Sequence, residues 1–322
     1  MTEPLTTGTK TGKPFERVCL IGLGLIGSSL GAAIHKHKLA DHVSGYAASE
    51  KTRRIAASIG FVDSVHETAA QAAENADLVI ICAPVGVMQA IAEEIAPVLK
   101  PGCILTDVGS VKKAVISAIE PHTPPHIHFI PGHPIAGTEK SGPESGFPEL
   151  FIDRWCILTP LPDCDQAALD RLQQFWLDLG SFVEIMTPDH HDQVLAITSH
   201  LPHLIAYSIV STASDLEDVT RSEVIKFSAG GFRDFTRIAA SDPTMWRDVF
   251  LTNKDAVLEM LGRFSEDLSA LQRSIRWNDG DALFDLFSRS KETRQRIIEV
   301  GQDTASPDFG REHITEKHPE NK

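Results

Sequence analysis

The sequence predicts an α/β protein in which a doubly wound parallel sheet is followed by an all-helical domain. In the first part of the chain, short apolar runs alternate with amphipathic segments, and in the second part apolar residues recur at three- and four-residue spacing. The chain has 322 residues, 42% of them hydrophobic, which is enough for two cores. We therefore expect domains at residues 15–187 and 188–301, with disordered tails at residues 1–14 and 302–322.

Seven apolar runs have the length and composition of buried strands. They are Val18–Ile21, Val43–Tyr46, Leu78–Cys82, Ile104–Asp107, Phe129–Pro131, Trp155–Leu158 and Phe182–Ile185. The amphipathic segments between them, such as Val87–Leu99, are predicted to be crossover helices. Thr187 can cap a helix that begins at Pro188, after which four helical patterns follow. These are His190–Ser214, Thr220–Phe227, Pro243–Asp279 and Gly280–Val300.

The apolar stripes of the helical domain are wide for a domain of this size, so we expect a homodimer that shares part of this surface. The formal net charge of −14 argues against nucleic acid or an anionic membrane as a partner. The longest apolar stretch identified, Ala76–Met88, is too short to cross a bilayer, and the N-terminus lacks the apolar run of a secretory signal. Five scattered cysteines without a C-x-x-C pair indicate a reducing, cytoplasmic setting without structural zinc.

A glycine-rich motif, G-L-G-L-I-G, begins at Gly22, directly after the first predicted strand and at the start of a predicted helix. Gly22 permits a tight turn, Gly24 lets backbone N–H groups approach a pyrophosphate, and Gly27 lets the helix lie close to the sheet. Leu25 and Ile26 complete the motif. This context predicts a Rossmann-type dinucleotide site, and the alternative is a glycine-rich turn that binds nothing.

The carboxyl ends of the neighbouring strands should complete the cofactor site, because ligands bind there in this fold class. The residues at these ends are Ser49, Cys82, Ala83, Pro84 and Asp107. No acidic residue ends the second strand, where NAD-binding proteins usually place one for the ribose hydroxyls. Lys51, Arg53 and Arg54 follow instead and could accommodate a 2′-phosphate, so these residues leave the choice between NAD and NADP open.

His133 is the candidate general base. It follows the predicted strand Phe129–Pro131, at the carboxyl edge of the sheet, within the segment G-H-P-I-A-G-T-E-K-S-G. Imidazole is the side chain whose ordinary pKa lies nearest neutral pH, as proton abstraction requires. A hydrogen-bonded structural histidine is the alternative.

A locally basic segment in this acidic chain is the candidate anion pocket. Its basic residues are Arg221, Lys226, Arg233, Arg237 and Arg247. The guanidinium of Arg237 could hold a carboxylate through two parallel hydrogen bonds, and Asp234 could hold that guanidinium in place. His200 and His203 lie three residues apart on a predicted helix, but no convincing third ligand is near, so we expect no metal.

Four segments together resemble the prephenate and arogenate (cyclohexadienyl) dehydrogenases of tyrosine biosynthesis. They are the motif at Gly22, the segment around His133, S-H-L-P-H at residues 199–203, and G-F-R-D-F-T-R at residues 231–237. The likeness extends from about Arg17 to about Gly301. It implies the oxidative decarboxylation of prephenate to 4-hydroxyphenylpyruvate, of arogenate to tyrosine, or of both. It also favours NAD as the cofactor, with NADP as the alternative.

The same resemblance assigns roles to residues in the site. It places Ser110, in D-V-G-S-V-K, near the reacting hydroxyl of the substrate. Ser110 could equally be the N-cap of a helix at Val111–Ile119. The other residues that the resemblance places against the substrate are Thr138, His200, His203, Arg237 and Trp246.

Two other functions remain possible at this point. A 3-hydroxyacid dehydrogenase of the related two-domain type would need a catalytic lysine on the first long helix, where this chain has histidines. A non-catalytic dinucleotide sensor would leave His133, His203 and Arg237 without a role.

Overall fold

The computed structural model describes residues 14–138, 140–220 and 230–299, with the side chains of residues 217–220 left out. The predicted tails, apart from Pro14, lie outside the described residues. So does the predicted helix Thr220–Phe227, apart from its first residue.

The main sheet and its crossover helices come from the first part of the chain. The strands are β1 (Phe15–Ile21), β2 (Ala40–Tyr46), β3 (Ser64–Val65), β4 (Leu78–Ile81), β5 (Ile104–Asp107) and β6 (His128–Phe129). The helices are α1 (Leu25–His37), α2 (Glu50–Ile59), α3 (Ala69–Ala73), α4 (Met88–Ile95) and α5 (Lys113–Ile119). All strand pairs are parallel, in the order β3-β2-β1-β4-β5-β6. The predicted doubly wound α/β architecture is confirmed, because the chain starts in the middle of the sheet and winds to both edges.

Both faces of the main sheet are buried, which is why its central strands are continuous apolar runs. Along β1, Val18 and Leu20 pack into one hydrophobic cluster, and Cys19 and Ile21 pack into the cluster on the opposite face. The two clusters hold α1 against one face and α4 against the other. The carboxyl ends of β1 and β4, between which the winding direction changes, are thereby fixed side by side.

A second, three-stranded sheet differs from the sequence prediction. It contains β7 (Gly132–Pro134), β8 (Trp155–Leu158) and β9 (Phe182–Ile185), and α6 (Gln166–Asp178) connects the last two. β7 is antiparallel to β8, which is parallel to β9. Of the predicted strand Phe129–Pro131, only Phe129 lies in a strand. β6 ends at this residue, and the next strand begins at Gly132. Apolar periodicity finds such runs but not their partners, and Pro131 has no N–H to continue a ladder.

The rest of the described chain is helical. Its helices are α7 (Pro188–Leu195), α8 (Leu201–Thr220), α9 (Gly230–Thr236), α10 (Pro243–Thr252), α11 (Lys254–Arg276) and α12 (Gly280–Glu299). A π-helical turn, Ala196–His200, joins α7 to α8, and a 3₁₀ turn, Arg237–Ala240, follows α9. The helix predicted over Pro243–Asp279 is interrupted at Asn253. The chain forms two compact units, one through Lys254 and one from Asp255, and the domain boundary expected after residue 187 remains a prediction.

One helical segment is more apolar than the sequence analysis recognised. Pro188–Leu216 is long and apolar enough to cross a membrane by length and composition alone, with a mean hydropathy of 1.4 and 28% of its window buried. It also carries His191 and Asp192, which are buried in the protein and hydrogen-bonded. These contacts make its first turns part of the folded unit.

Candidate active site

The loop after β1 forms a cradle against the loop after β4. Gly22 has a φ of +104°, and a Cβ there would lie 2.6 Å from the backbone of Cys82. A Cβ on Gly27 would lie 2.0 Å from the carbonyl oxygen of Gly22. Both positions exclude a side chain, whereas nothing lies within 4 Å of the place where a Cβ of Gly24 would be. The first turn of α1, which includes Leu25 and Ile26, has no side-chain cap, so its N–H groups can receive a phosphate.

The end of β2 has its basic groups engaged locally. Nη1 of Arg53 donates to the carbonyl oxygens of Ala47 at 2.6 Å and Ala48 at 3.0 Å. Arg54 pairs with a glutamate one turn earlier on the same helix. Ser49 is the N-cap of α2, and its hydroxyl accepts a backbone N–H. The guanidinium groups of Arg53 and Arg54 are thus engaged within the protein, and these contacts do not prepare either group to bind a 2′-phosphate.

His133 lies on β7, where it stands opposite Ile157, rather than in the loop that the sequence suggested. Its side chain is 8% exposed, and its Nδ1 atom is 2.8 Å from Nε2 of His191. Nδ1 of His191 is in turn 2.8 Å from Oδ1 of Asp192. Both partners come from α7. The candidate base is therefore the first member of a buried imidazole–imidazole–carboxylate chain.

Burial decides the charge states of this chain. It lowers the pKa of His133 well below the ordinary value, and the nearby His191 and Lys112 lower it further. Burial also lowers the pKa of His191, against the opposing effect of Asp192. Although burial alone would raise the pKa of Asp192, hydrogen bonds from His191 and two backbone N–H groups bring it below the ordinary value. Both imidazoles are neutral near pH 7, and the carboxylate is ionised.

A buried ion pair fixes the backbone beside His133. Nζ of Lys112 is 2.5 Å from Oδ2 of Asp107 and 2.5 Å from the carbonyl oxygen of Gly132, and both side chains are 0% exposed. Asp107 also accepts the backbone N–H groups of Gly109 and Gly132. The sequence analysis assigned Asp107 to the cofactor. Its two oxygens are instead occupied inside the protein, so we expect its effect on the cofactor to be indirect.

Ser110 does not cap the following helix, so that expectation is wrong. α5 begins at Lys113, and the carboxylate of Asp192 accepts the N–H groups of Lys112 at 2.7 Å and of Lys113 at 3.0 Å. A side chain 80 positions away takes the capping role, which sequence spacing could not reveal. Ser110 is partly exposed and lies in the loop after β5.

The π turn and α10 bring the two other predicted histidines together. His203 stacks on Trp246 with ring centroids 3.7 Å apart, and its Nδ1 lies 2.8 Å from the carbonyl oxygen of Ser199, to which it donates. His200 is fully buried, meets Trp246 edge-on, and has its Nδ1 3.2 Å from the side-chain nitrogen of Asn253. His200 and His203 thus both pack against the indole ring of Trp246.

Burial lowers the pKa of His200 to about 4. It also lowers the pKa of His203, with a further contribution from the positive charge of Arg237. Nε1 of Trp246 is buried without a hydrogen-bond partner among the described residues. Buried polar atoms in this condition are expected where a ligand or water completes a site.

Arg237 lies at the start of the 3₁₀ turn after α9 and is exposed. Its positive charge contributes to the lowered pKa of His203, after burial of the imidazole. The partner expected for it, Asp234, accepts a hydrogen bond from Nε of Arg233 at 3.1 Å. Two of the basic residues that were expected to form the anion pocket, Arg221 and Lys226, lie outside the described residues.

The segment that carries Thr138 is held against α1, the helix that follows the glycine-rich motif. The Thr138 hydroxyl accepts a backbone N–H two residues on, and Glu139 lies outside the described residues. A Cβ on Gly146 would lie 2.1 Å from the hydroxyl of Ser28 on α1. Phe147 donates its N–H to a neighbouring serine of the same helix. The loop after His133 is thereby tied to the dinucleotide cradle.

Four polar residues of this site were missed by the sequence analysis. They are Lys112, His191, Asp192 and Asn253. The one available signal was the run of polar residues at 189–192 in an otherwise apolar helix. Among the described residues, no group of three or more His, Cys, Asp or Glu side chains is arranged to hold a metal ion.

A phosphate cradle at the switch point of a doubly wound sheet, with a buried histidine nearby, is typical of dehydrogenases that use a nicotinamide dinucleotide. Comparison with known families narrows this class. Residues 30–185 match the family model described as prephenate dehydrogenase, nucleotide-binding domain, and residues 187–289 match its dimerization domain. The chain belongs to the prephenate dehydrogenase family, which confirms the resemblance found in the sequence.

Individual relatives agree with this assignment. The chain is 42% identical to the cyclohexadienyl dehydrogenase of Zymomonas mobilis over 87% of its own length and 95% of the relative's. It is 33% identical to the prephenate dehydrogenase of Bacillus subtilis, over 88% of this chain and 76% of that one. The solved prephenate dehydrogenase of A. aeolicus, in complex with hydroxyphenyl propionate and NAD+, superposes with a TM-score of 0.81 at 33% identity, covering 88% and 98% of the two chains.

Proposed function

We propose that this protein catalyses the NAD-dependent oxidative decarboxylation of prephenate, of arogenate, or of both, in tyrosine biosynthesis. The observation that carries the proposal is the buried His133, whose Nδ1 is engaged by His191. No hydrogen bond to its Nε2 is formed within the described part of the chain. The names of the relatives support the reaction class and the pathway. A 3-hydroxyacid dehydrogenase and a non-catalytic sensor are not favoured.

The cofactor site fits a nicotinamide dinucleotide. Gly22 and Gly27 keep side chains out of the cradle, and the uncapped first turn of α1 would receive the pyrophosphate. Cys82, Ala83 and Pro84 follow β4 at the neighbouring strand end, where we expect the remainder of the dinucleotide. When bound, the nicotinamide supplies the hydride acceptor. The relative solved with NAD+ and the internal engagement of Arg53 both favour NAD over NADP.

The chemistry asks little more of the protein than a base and a substrate clamp. His133 accepts the proton of the ring hydroxyl at Nε2 as the carbinol carbon loses hydride, and the ring carboxylate leaves as carbon dioxide. The low pKa that burial gives His133 keeps its lone pair available near neutral pH. Aromatisation of the ring makes the step irreversible.

The remaining site residues would bind and orient the substrate. Arg237 holds a carboxylate, and the stacked pair of His203 and Trp246 forms a wall of the pocket, supported by His200. Ser110, which does not cap a helix, would lie near the reacting hydroxyl, and Thr138 would contact the substrate. The negative charge of Asp234 would balance part of the positive charge of the guanidinium groups on α9 and in the turn that follows it.

The protein is also proposed to act as a homodimer in the cytoplasm. The family model over residues 187–289 is described as a dimerization domain. Large apolar side chains are exposed on α12, among them Phe284 at 71% and Phe287 at 58%. Burial of such residues between two copies would remove an unfavourable exposed patch. The five cysteines are all free, as a reducing compartment favours. Sedimentation analysis that gave only monomer would contradict the dimer.

The function is tested by mixing the purified full-length protein with prephenate or arogenate, each with NAD or NADP. Reduced nicotinamide is followed by absorbance, and released carbon dioxide is measured in the same samples. We expect reduced nicotinamide and carbon dioxide in equal amounts with at least one substrate and NAD. The absence of both products in all four mixtures would overturn the proposal, and turnover of a 3-hydroxyacid instead would identify the alternative enzyme.

A further inference from the structure

We propose that His191 and Asp192 are positioning residues that hold the proton of neutral His133 on Nδ1 and thereby make Nε2 its basic atom. The inference rests on the proposed role of His133 as the base. It concerns residues whose side chains would act through His133 rather than on the substrate. Two consecutive contacts carry it, each of 2.8 Å and each buried.

The direction of every hydrogen bond follows from Asp192. An ionised carboxylate can only accept, so His191 must donate from Nδ1 across the 2.8 Å contact. A neutral imidazole carries one ring proton, which leaves Nε2 of His191 as an acceptor. His133 must then donate from its Nδ1 across the second 2.8 Å contact. Its own lone pair is consequently confined to Nε2.

The hydrogen-bonded series of His133, His191 and Asp192 is also arranged to stabilise the positive charge that forms on His133 during catalysis. When His133 takes a proton at Nε2, it becomes an imidazolium close to the fully buried ammonium of Lys112. Asp107 is already paired with that ammonium. The second carboxylate nearby is that of Asp192. It is hydrogen-bonded to His191, which is in turn hydrogen-bonded to His133. A carboxylate that orients and stabilises an imidazolium in this way is known from serine hydrolases.

The side chain of Asp192 is fixed in this position by hydrogen bonds to other elements of the fold. Both its oxygens accept N–H groups at the start of α5, from Lys112 and Lys113. The side chain of Asn253 donates to the backbone carbonyl of Asp192 at 2.8 Å. Contacts from α5 and from the α10–α11 junction therefore fix the carboxylate, and through it the ring of His191.

The mutational test compares two adjacent histidines. His191→Leu removes the acceptor for His133, and we expect kcat to fall about 100-fold or more, with KM and the dinucleotide Kd changed by less than about threefold. His190→Leu, the same change at an exposed neighbour, is the matched control and should retain wild-type kcat. His191→Gln offers an amide oxygen in place of Nε2 and should recover at least about tenfold of the loss. Equal kcat values for His191→Leu and wild type, or no recovery with glutamine, would overturn the proposal.

A second measurement requires neither a variant of His191 nor turnover. Nitrogen-15 NMR of ¹⁵N-histidine-labelled protein distinguishes protonated from unprotonated ring nitrogens, and His133→Asn identifies the His133 signals by their loss. We expect Nδ1 protonated and Nε2 unprotonated in the substrate-free enzyme at neutral pH, and the opposite tautomer would overturn the inference. If wild type turns over neither substrate, the proposed function fails, while the tautomer still decides this inference separately.

Discussion

Nδ1 of His133 lies 2.8 Å from Nε2 of His191, across a separation of 58 residues in the chain. The contact joins β7 of the second sheet to α7, the first helix after β9. The candidate base is therefore positioned by the same continuous helical segment that carries His203 through the π turn and α8. The candidate base and the proposed substrate-binding residue His203 are therefore connected through one packed helical segment. π turns of this kind occur frequently at functional sites.

Replacing Arg237 should mainly weaken substrate binding. Loss of a charged, two-point hydrogen bond in Arg237→Gln is expected to raise KM by about 10- to 100-fold, with a smaller effect on kcat. Arg263→Gln is the control, since Arg263 is exposed, lies outside the proposed site and pairs with Glu259 one turn earlier on the same helix. Steady-state kinetics of both variants measure the difference. An unchanged KM in Arg237→Gln would contradict the proposal that Arg237 binds a carboxylate of the substrate.

The cradle depends on the absence of a side chain at Gly27. A Cβ there would lie 2.0 Å from a backbone oxygen, so Gly27→Ala should lower the free energy of unfolding by roughly 1–3 kcal/mol and weaken dinucleotide binding. Gly262→Ala makes the same change within helix α11, where nothing lies within 4 Å, and should raise stability by up to about 1 kcal/mol. Denaturant titration and dinucleotide binding measure both effects. Similar behaviour of the two variants would show that close packing at Gly27 is unimportant.

The buried His200 should make stability depend on pH. Its folded pKa of about 4 lies below the ordinary value of 6.5, so between these values the unfolded chain binds a proton that the folded chain does not. Stability is therefore lost as the pH falls from 6.5 toward 4, by up to about 3 kcal/mol from this residue. His200→Asn, which retains an acceptor for Asn253, should show a shallower loss. Parallel stability curves for wild type and variant would contradict this explanation.

The sequence was informative wherever chemistry depends on neighbouring residues. The motif at Gly22 predicted the dinucleotide cradle because strand, turn and helix are consecutive there. The segments around His133 and Arg237 supported the family that the comparisons confirm. The apolar runs also predicted most strands, since burial on both faces is visible in composition.

The sequence was uninformative wherever a residue's role depends on a distant partner. Asp192 caps α5, about 80 positions earlier in the sequence, and completes the hydrogen-bonded series from His133, and no local pattern indicated either role. Asp107 looked like a cofactor ligand, yet it neutralises Lys112. The second sheet escaped prediction for the same reason, because strand pairing depends on contacts that periodicity does not encode.

The central claim is that His133 removes the substrate hydroxyl proton, and the turnover of His133→Asn tests it most directly. Asparagine retains a polar side chain of similar length but has no basic lone pair, so kcat should fall about 100-fold or more while dinucleotide affinity stays within about twofold of wild type. Wild-type kcat in this variant would contradict the claim. Equal losses of turnover and dinucleotide binding would contradict it as well, since they would indicate that His133 maintains the fold.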